Sequence, residues 1–403
     1  MRKPHVVVTG IGVISACGLN FDEFGSSMRH GKLGIGEIQA FPTEAMQSRL
    51  AAEVFGFDPD KYFSGAEQLY IDRATQFALV AANEAMVRAN LVSEERKSMR
   101  GAVIIGTGCA GANTNAEYSV QLLVEKQKQP NRLAVLKGMI NAPAAHISMV
   151  LKIDGPSFVV SSACASSAQA IGLAARMIKA GEIDYAVCGG TEAFINFGYM
   201  KAWDGLGVMA PDACRPFSKG RKGTILGDGA AIFVLESFDG AKQRGASVFA
   251  EILGCSMSSN ATTLLKPDID SAKSVIARCL QDARIAPCDV QYINAHGTGT
   301  LANDIAEVEA IRGLFGQDAD SVLVSSTKSI HGHALGASGA LELAATIAGM
   351  CGDFAPPTLS FVEADPRCPI DCVPNESRAA RIHIALSNSF AFGGHNAVLA
   401  IRR

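Results

Sequence analysis

Short apolar runs alternate with longer amphipathic stretches along this chain of 403 residues. Residues 6–8, 102–105, 158–160, 185–188 and 230–235 have the length and β-branched content of buried strands. Residues 73–89 and 168–180 carry helical periodicity between them. A second series begins near residue 248, with strand runs at 249–253, 290–293, 322–325, 382–386 and 397–401 and helical runs at 271–283, 305–314 and 339–349. Such alternation predicts an α/β fold with parallel strands. Each series opens with a strand and a glycine-containing turn, Gly10 and Gly12 in the first and Gly254 in the second. The chain therefore reads as two similar halves, residues 1–247 and 248–403, sharing one core because no low-complexity linker divides them. Residues 356–374 are rich in proline and read as a long surface loop.

Composition narrows the function. With 40 glycines, few aromatics and 48% hydrophobic residues, helices can pack closely through small side chains. A net charge of −3 gives no electrostatic case for nucleic acid. Eleven cysteines without paired spacing point to a reducing, cytoplasmic setting. At the N-terminus, Arg2 and Lys3 precede an apolar run and Cys17, as in a lipoprotein leader. Thr9, Gly10 and Gly12 interrupt that run, so a buried strand and a turn are the better reading. No run of ~18 apolar residues occurs, so no membrane span is expected.

Three segments carry chemistry. The first is Ser161-Ser162-Ala163-Cys164-Ala165-Ser166, at the junction of a strand and an Ala-rich helix. A thiolate there gains from the helix dipole, and the turn can expose it beside backbone N–H donors. Most free cysteines are simply buried, and the other ten have no such setting. The second segment is His296-Gly297-Thr298-Gly299-Thr300, where glycines admit a ligand and threonines can hydrogen-bond it. The third is Lys328-Ser329-Ile330-His331-Gly332-His333. His296 and His333 both follow strand ends, where ligands gather in α/β folds, whereas His331 reads as a lone imidazole on a solvated loop. Cys368 and Cys372 lack a second ligand pair, and no metal site is expected. Gly10-Ile11-Gly12 lacks the third glycine of a dinucleotide turn and is better explained by a close-packed turn.

Together, Ser162-Ala163-Cys164-Ala165, His296 to Thr300, Lys328 to His333 and Asn388-Ser389-Phe390-Ala391-Phe392-Gly393-Gly394 resemble the β-ketoacyl-[acyl-carrier-protein] synthases. Arg215-Pro216-Phe217, Gly227-Asp228-Gly229-Ala230 and Asp304 with Glu307 extend the match from end to end, nearest to the elongating type II branch. The resemblance implies a thiolase-like fold, with two βαβ-rich halves in five α-β-α-β-α layers, and a dimer of like or related subunits. It implies Cys164 as the acyl acceptor and His296 and His333 as hydrogen-bond donors to a malonyl thioester. Lys328 would organise the histidines, with Glu307 as the carboxylate behind that lysine. The backbone N–H groups of Cys164 and Phe392 would form an oxyanion hole, and Phe392 would gate it. Thr298 and Thr300 would bind the pantetheine amides, with Cys109, Phe197 and Phe390 as further substrate contacts. The partner would be an acyl carrier protein, docked near Lys126, Lys128, Arg132 and Lys201. No cofactor is implied beyond the phosphopantetheine arm of that carrier.

Departures from the family pattern point to a specialised member. Ala391 replaces the usual glycine between the two phenylalanines, His395 stands where threonine is common, and Lys222 where aspartate is usual. Residues 64–69 lack the basic cluster that ordinarily meets the carrier. The small Cys109 argues for a roomy acyl pocket. These features look more like ketosynthases of nodulation-signal or polyene pathways than the housekeeping enzyme. A thiolase would need a second catalytic cysteine near the C-terminus, where Phe392-Gly393-Gly394-His395 stands instead. A non-catalytic chain-length subunit would lack the nucleophile.

Overall fold

The structure, a computed structural model, describes residues 4–91, 96, 98–128 and 131–403, so Arg2 and Lys3 of the leader-like start lie outside it. Ten strands form one continuous sheet: β1 Val6–Ser15, β2 Gly101–Gly106, β3 Ser157–Val160, β4 Tyr185–Glu192, β5 Gly229–Ser237, β6 Ala250–Ser259, β7 Tyr292–Asn294, β8 Leu323–Ser325, β9 Ile384–Phe390 and β10 His395–Arg402. Their spatial order is β3-β2-β4-β5-β1-β6-β10-β9-β7-β8. Counted from its own first strand, each half runs third-second-fourth-fifth-first, so the halves share one topology. In both, the second strand is parallel to the third and fourth. The fifth is antiparallel to the fourth and the first. The sheet is thus mixed rather than parallel throughout, and the antiparallel β1–β6 pair joins the halves.

Six helices complete the layers: α1 Arg73–Ala89, α2 Ala142–Leu151, α3 Ser166–Ala180, α4 Ile269–Ala283, α5 Leu301–Phe315 and α6 Ser338–Gly352. Period-2 alternation assigns each strand face to a layer. On β5, Ala231, Phe233 and Leu235 face the central core with α3 and α6, while Ala230, Ile232 and Val234 face α1 and α2. On β10, Ala397, Leu399 and Ile401 join the central core, and Val398 and Ala400 pack with α4 and α5. This is the five-layer arrangement expected. Leu335–Gly352 is as long and apolar as a membrane span, yet 89% of it is buried as the central helix of this core.

Two expectations change. Gly10, Gly12 and Gly254 do not form turns; they lie inside β1 and β6. A Cβ on Gly12 would sit 1.9 Å from Ala81 O of α1, and one on Gly254 would sit 2.6 Å from Ala283 N of α4. Their glycines admit a helix backbone against the strand. The segment 356–374 is irregular, as expected, but is pinned rather than free on the surface. Asp365 pairs with the buried Arg221 at 2.7 Å, and Arg221 also meets Asp304 at 3.2 Å.

Candidate active site

The nucleophile candidate sits in a strained elbow. β3 ends at Val160 and α3 begins at Ser166, so the chain reverses within residues 161–165. Ala163 is forced to φ +50°, a left-handed conformation costing ~1–2 kcal/mol for a residue with a Cβ. Ser166 clamps the turn, accepting from Ser162 N at 2.9 Å and donating to Ala163 O at 2.6 Å. Cys164 is thereby held two residues ahead of α3, buried but lining a cavity of about 180 Å³.

The back half delivers both histidines to the same cavity. His333 Nε2 lies 3.1 Å from Cys164 Sγ, and its Nδ1 lies 2.7 Å from Ser338 Oγ at the start of α6. The His296 ring stands nearly perpendicular to it, with centroids 5.6 Å apart. Lys328 Nζ donates to His296 O at 2.5 Å and lies 3.3 Å from His296 Nδ1. That ammonium leaves the His296 proton on Nε2. Ser338, a hydroxyl that can donate or accept, permits either tautomer of His333.

Burial sets the protonation states. It holds His296 and His333 well below the usual imidazole range, and the Lys328 charge lowers both further. It pushes the Cys164 thiol up to about 12, with the Lys328 charge pulling in the opposite direction. The helix dipole of α3 is outweighed, and the resting pair is a thiol beside a neutral imidazole.

The carboxylate behind Lys328 is Glu342 on α6, not Glu307. Lys328 and Glu342 form a fully buried ion pair. Glu307 accepts instead from the backbone N–H groups of His296 and Gly297, each at 2.8 Å, and from Asn388 Nδ2 at 3.1 Å. It shapes the His296 turn, while the Lys328 ammonium reaches Glu342 instead. Glu342 had a signal in the sequence: it is the one charged residue in the apolar helix α6.

Other expected residues divide. Thr298, Thr300, Phe390 and Phe392 line the cavity with Cys164 and both histidines. The two threonine hydroxyls lie 2.9 Å apart. Phe392 stacks on Trp203, the single tryptophan, at 5.9 Å, a partner that no motif had singled out. Ala391 is extended at φ −121°, which alanine adopts freely, whereas Gly393 and Gly394 take the left-handed φ values of 79° and 72°. Cys109 packs in an apolar cluster with Cys164, Phe194, Met200 and Leu335 and is not among the residues that line the cavity. Phe197 is not brought to the site. It begins the helix Phe197–Leu206, is 47% exposed, and lies in a separate groove with Phe41. Lys126, Lys128 and Arg132 are exposed, whereas Lys201 is committed to Ala45 O and Asp204. His331 is not on a solvated loop. It is fully buried, bonded to Thr327 Oγ1 at 3.0 Å, and takes no part in the cavity.

Among the described residues, the one cluster with metal-ligand spacing is Cys164, His296 and His333, whose ligand atoms lie within 4.8 Å of one another. The neighbouring Lys328 ammonium and the protonated thiol both disfavour a dication there.

Comparison with known proteins agrees with this geometry. Residues 3–241 match the N-terminal domain of β-ketoacyl synthases, and residues 249–362 match the C-terminal domain. Nodulation protein E of Rhizobium sp. (strain N33) is 40% identical over 99% of both chains. The 3-oxoacyl-[acyl-carrier-protein] synthase 2 of Synechocystis sp. (strain ATCC 27184 / PCC 6803 / Kazusa) is 37% identical, covering 100% of this chain and 99% of its own. Among solved structures, the ishigamide ketosynthase/chain length factor superposes with a TM-score of 0.95 at 33% identity, covering 100% of this chain and 99% of that one. A type II polyketide acyl-carrier protein in complex with its hexaketide-bound ketosynthase gives 0.91 at 30%, with the same coverage. With both domains matched, this chain belongs to the β-ketoacyl synthase family and is an acyltransferase.

Proposed function

We propose that this protein joins an acyl group held on Cys164 to a malonyl unit on an acyl carrier protein, releasing CO2 and a 3-oxoacyl carrier thioester. The observation that carries the reading is the convergence of one thiol and two neutral imidazoles on one cavity.

In the first half-reaction Cys164 Sγ attacks the incoming thioester. Its proton crosses His333 Nε2 to the departing pantetheine thiol, so one thioester forms as another breaks. The tetrahedral oxyanion is held by the backbone N–H groups of Cys164 and Phe392. In the second, His333 takes the tautomer with its proton on Nε2, its Nδ1 then accepting from the Ser338 hydroxyl. The thioester oxygen of the incoming malonyl carrier protein accepts from His296 Nε2 and His333 Nε2. Loss of CO2 leaves the electron pair as an enolate on that oxygen, where two fixed donors in a dry pocket stabilise it. The carbanion carbon then attacks the Cys164 thioester and expels the thiolate. Neutral imidazoles suit this step because both must donate without first losing a proton. Lys328 and Glu342 hold His296 in one tautomer, while Glu307 fixes its backbone. Thr298 and Thr300 meet the pantetheine amides, Phe390 flanks the arm, and Phe392 swings off Trp203 to admit the acyl chain toward Cys109. No organic cofactor takes part beyond the phosphopantetheine arm.

The carrier docks through Lys126, Lys128 and Arg132. A like or related subunit pairs at the edge strand β3, where Phe158 is exposed. Residues 1–247 and 248–403 act as the thiol-bearing and imidazole-bearing halves. A role as a silent chain-length subunit is disfavoured by the intact nucleophile.

Mass spectrometry after incubation with acyl carrier proteins of graded chain length tests the reading. An acyl adduct on Cys164, discharged by malonyl carrier protein to a 3-oxoacyl product, is expected. Acylation elsewhere, or none with any carrier, would overturn it.

A further inference from the structure

We propose that Glu192 is a positioning residue that ties the wall of the acyl pocket to the His333 imidazole. The inference rests on the condensing reading above and deepens it. Glu192 ends β4 and is fully buried, yet among the described residues no ion pair holds it; its carboxylate accepts from four donors. Oε1 accepts from Thr107 Oγ1 and Cys109 N, both at 2.8 Å. Oε2 accepts from Gly108 N at 2.7 Å and from Gly336 N at 2.9 Å. Three of these donors belong to the loop after β2, in the front half. The fourth belongs to the back half, between His333 and α6.

Both loops carry residues of the site. Cys109 and Leu335 pack in the apolar cluster that contains Cys164. Ser338, two residues after Gly336, holds His333 Nδ1. The contact is close: a Cβ on Gly336 would lie 2.3 Å from Gly108 N and 2.7 Å from Glu192 Oε2. One carboxylate therefore spans from the Cys109 loop, toward which the proposed acyl chain runs, to the loop that supports the His333 ring. A chain that seats well against Cys109 sets the Glu192 hydrogen bonds, and these set the His333 geometry through Gly336 and Ser338. Decarboxylation is thereby matched to an occupied acyl pocket.

The decisive substitution is Glu192→Gln. The amide has the same shape, but its NH2 must meet either the Gly108 and Gly336 N–H groups or the Cys109 N–H and the Thr107 hydroxyl, so at least one of the four hydrogen bonds is lost. Decarboxylation of malonyl carrier protein should fall by about 10–100-fold, the scale of one lost hydrogen bond to a charged group. Acylation of Cys164 should fall far less, because a water molecule can carry that proton whereas no water replaces a fixed donor. The dependence of decarboxylation on acyl chain length should flatten. Thr107→Val removes one of the four donors without adding charge and should shift the same ratio, and Thr107→Ser should restore it. If Glu192→Gln fails to fold, the Thr107 pair decides alone. Equal slowing of the two half-reactions, greater slowing of acylation, or no slowing overturns the inference. Wild-type protein that neither acylates nor decarboxylates would instead defeat the condensing reading, before any variant is compared.

Discussion

The two halves of this protein share a strand order, yet they fill equivalent positions with different chemistry. After its third strand, the front half crosses to its central helix within residues 161–165, an elbow that fixes Cys164. After its third strand, the back half takes residues 326–337, long enough to hold Lys328, His331 and His333. After the second strand, the front loop carries Cys109 and packs against the apolar cluster around Cys164, whereas the back loop carries His296, Thr298 and Thr300 into the cavity. A tight crossing suits a nucleophile, which needs one exposed atom and nearby amides. A long crossing suits donors, which need buried supports such as Lys328, Glu342 and Ser338. Duplicating the scaffold brings both kinds of crossing to one cavity.

The sharpest way to break this division is to disable each half separately. Cys164→Ala should abolish acylation, by ~10⁴-fold or more, because a lost nucleophile disables its whole catalytic unit. His333→Ala should raise the decarboxylation barrier by ~2–4 kcal/mol, as removal of an oxyanion donor does, and slow acylation less. His296→Ala should spare acylation altogether, since His296 is held by Lys328 and makes no hydrogen bond to Cys164. Stopped single-turnover assays of each half-reaction separate these outcomes. Equal effects of His296→Ala on both steps would dissolve the distinction between nucleophile half and donor half.

The halves also differ in buried charge. Glu342→Gln would strand Lys328 in the core, and loss of one partner of a buried pair costs ~3–5 kcal/mol. Urea unfolding should show this loss in full, and Glu342→Gln combined with Lys328→Met should recover much of it. A single variant as stable as wild type would mean that the pair is dispensable to the fold.

How much of this was legible in the sequence follows the range of the interactions. The strands, α1 and α3 to α6 showed themselves through local periodicity, and Cys164, His296 and His333 through short motifs at strand ends. The antiparallel fifth strands were not visible, for two different reasons. β5 meets β1 through residues more than 200 positions apart, as with Val6 and Ser237. β10 follows β9 after only residues 391–394, where the glycine motif draws the reading toward chemistry rather than toward a turn. Glu307 was placed behind Lys328 on family pattern, yet it shapes the His296 turn while the lysine reaches Glu342. Glu342 stood out only as a charge inside an apolar helix, which hydrophobic patterning passes over. Glu192 closes a strand and gives no local hint that its partners lie 84 and 144 positions away.

A third pair of substitutions asks whether the likeness of the halves extends to packing. Gly12→Ala places a methyl against Ala81 O, and Gly254→Ala places one against Ala283 N. Both should destabilise by ~1–3 kcal/mol through overpacking, Gly12→Ala more, since its approach is closer. Thermal melts of the two variants provide the comparison. A neutral Gly254→Ala would limit the likeness to strand order.

The smallest effect lies in the long crossing itself. Burial, followed by the Lys328 charge, lowers His331 to about 3. Its unfolded value is near the ordinary ~6.5. A group depressed on folding supports the native state fully above its unfolded pKa and loses that support as pH falls. Between pH 6.5 and about 3, His331 should therefore cost wild-type protein ~1.4 kcal/mol per pH unit relative to a variant that cannot titrate there. His331→Gln keeps a group able to meet Thr327 Oγ1 and carries no proton equilibrium. Whatever its stability at pH 8, its difference from wild type should shift by about 1.4 kcal/mol in its favour by pH 5.5. The front elbow around Ala163 has no histidine to produce such a slope. A constant difference between the two proteins from pH 8 to 5.5 would place the acid sensitivity of the back half elsewhere, and the length of its crossing would then serve only to carry Lys328 and His333.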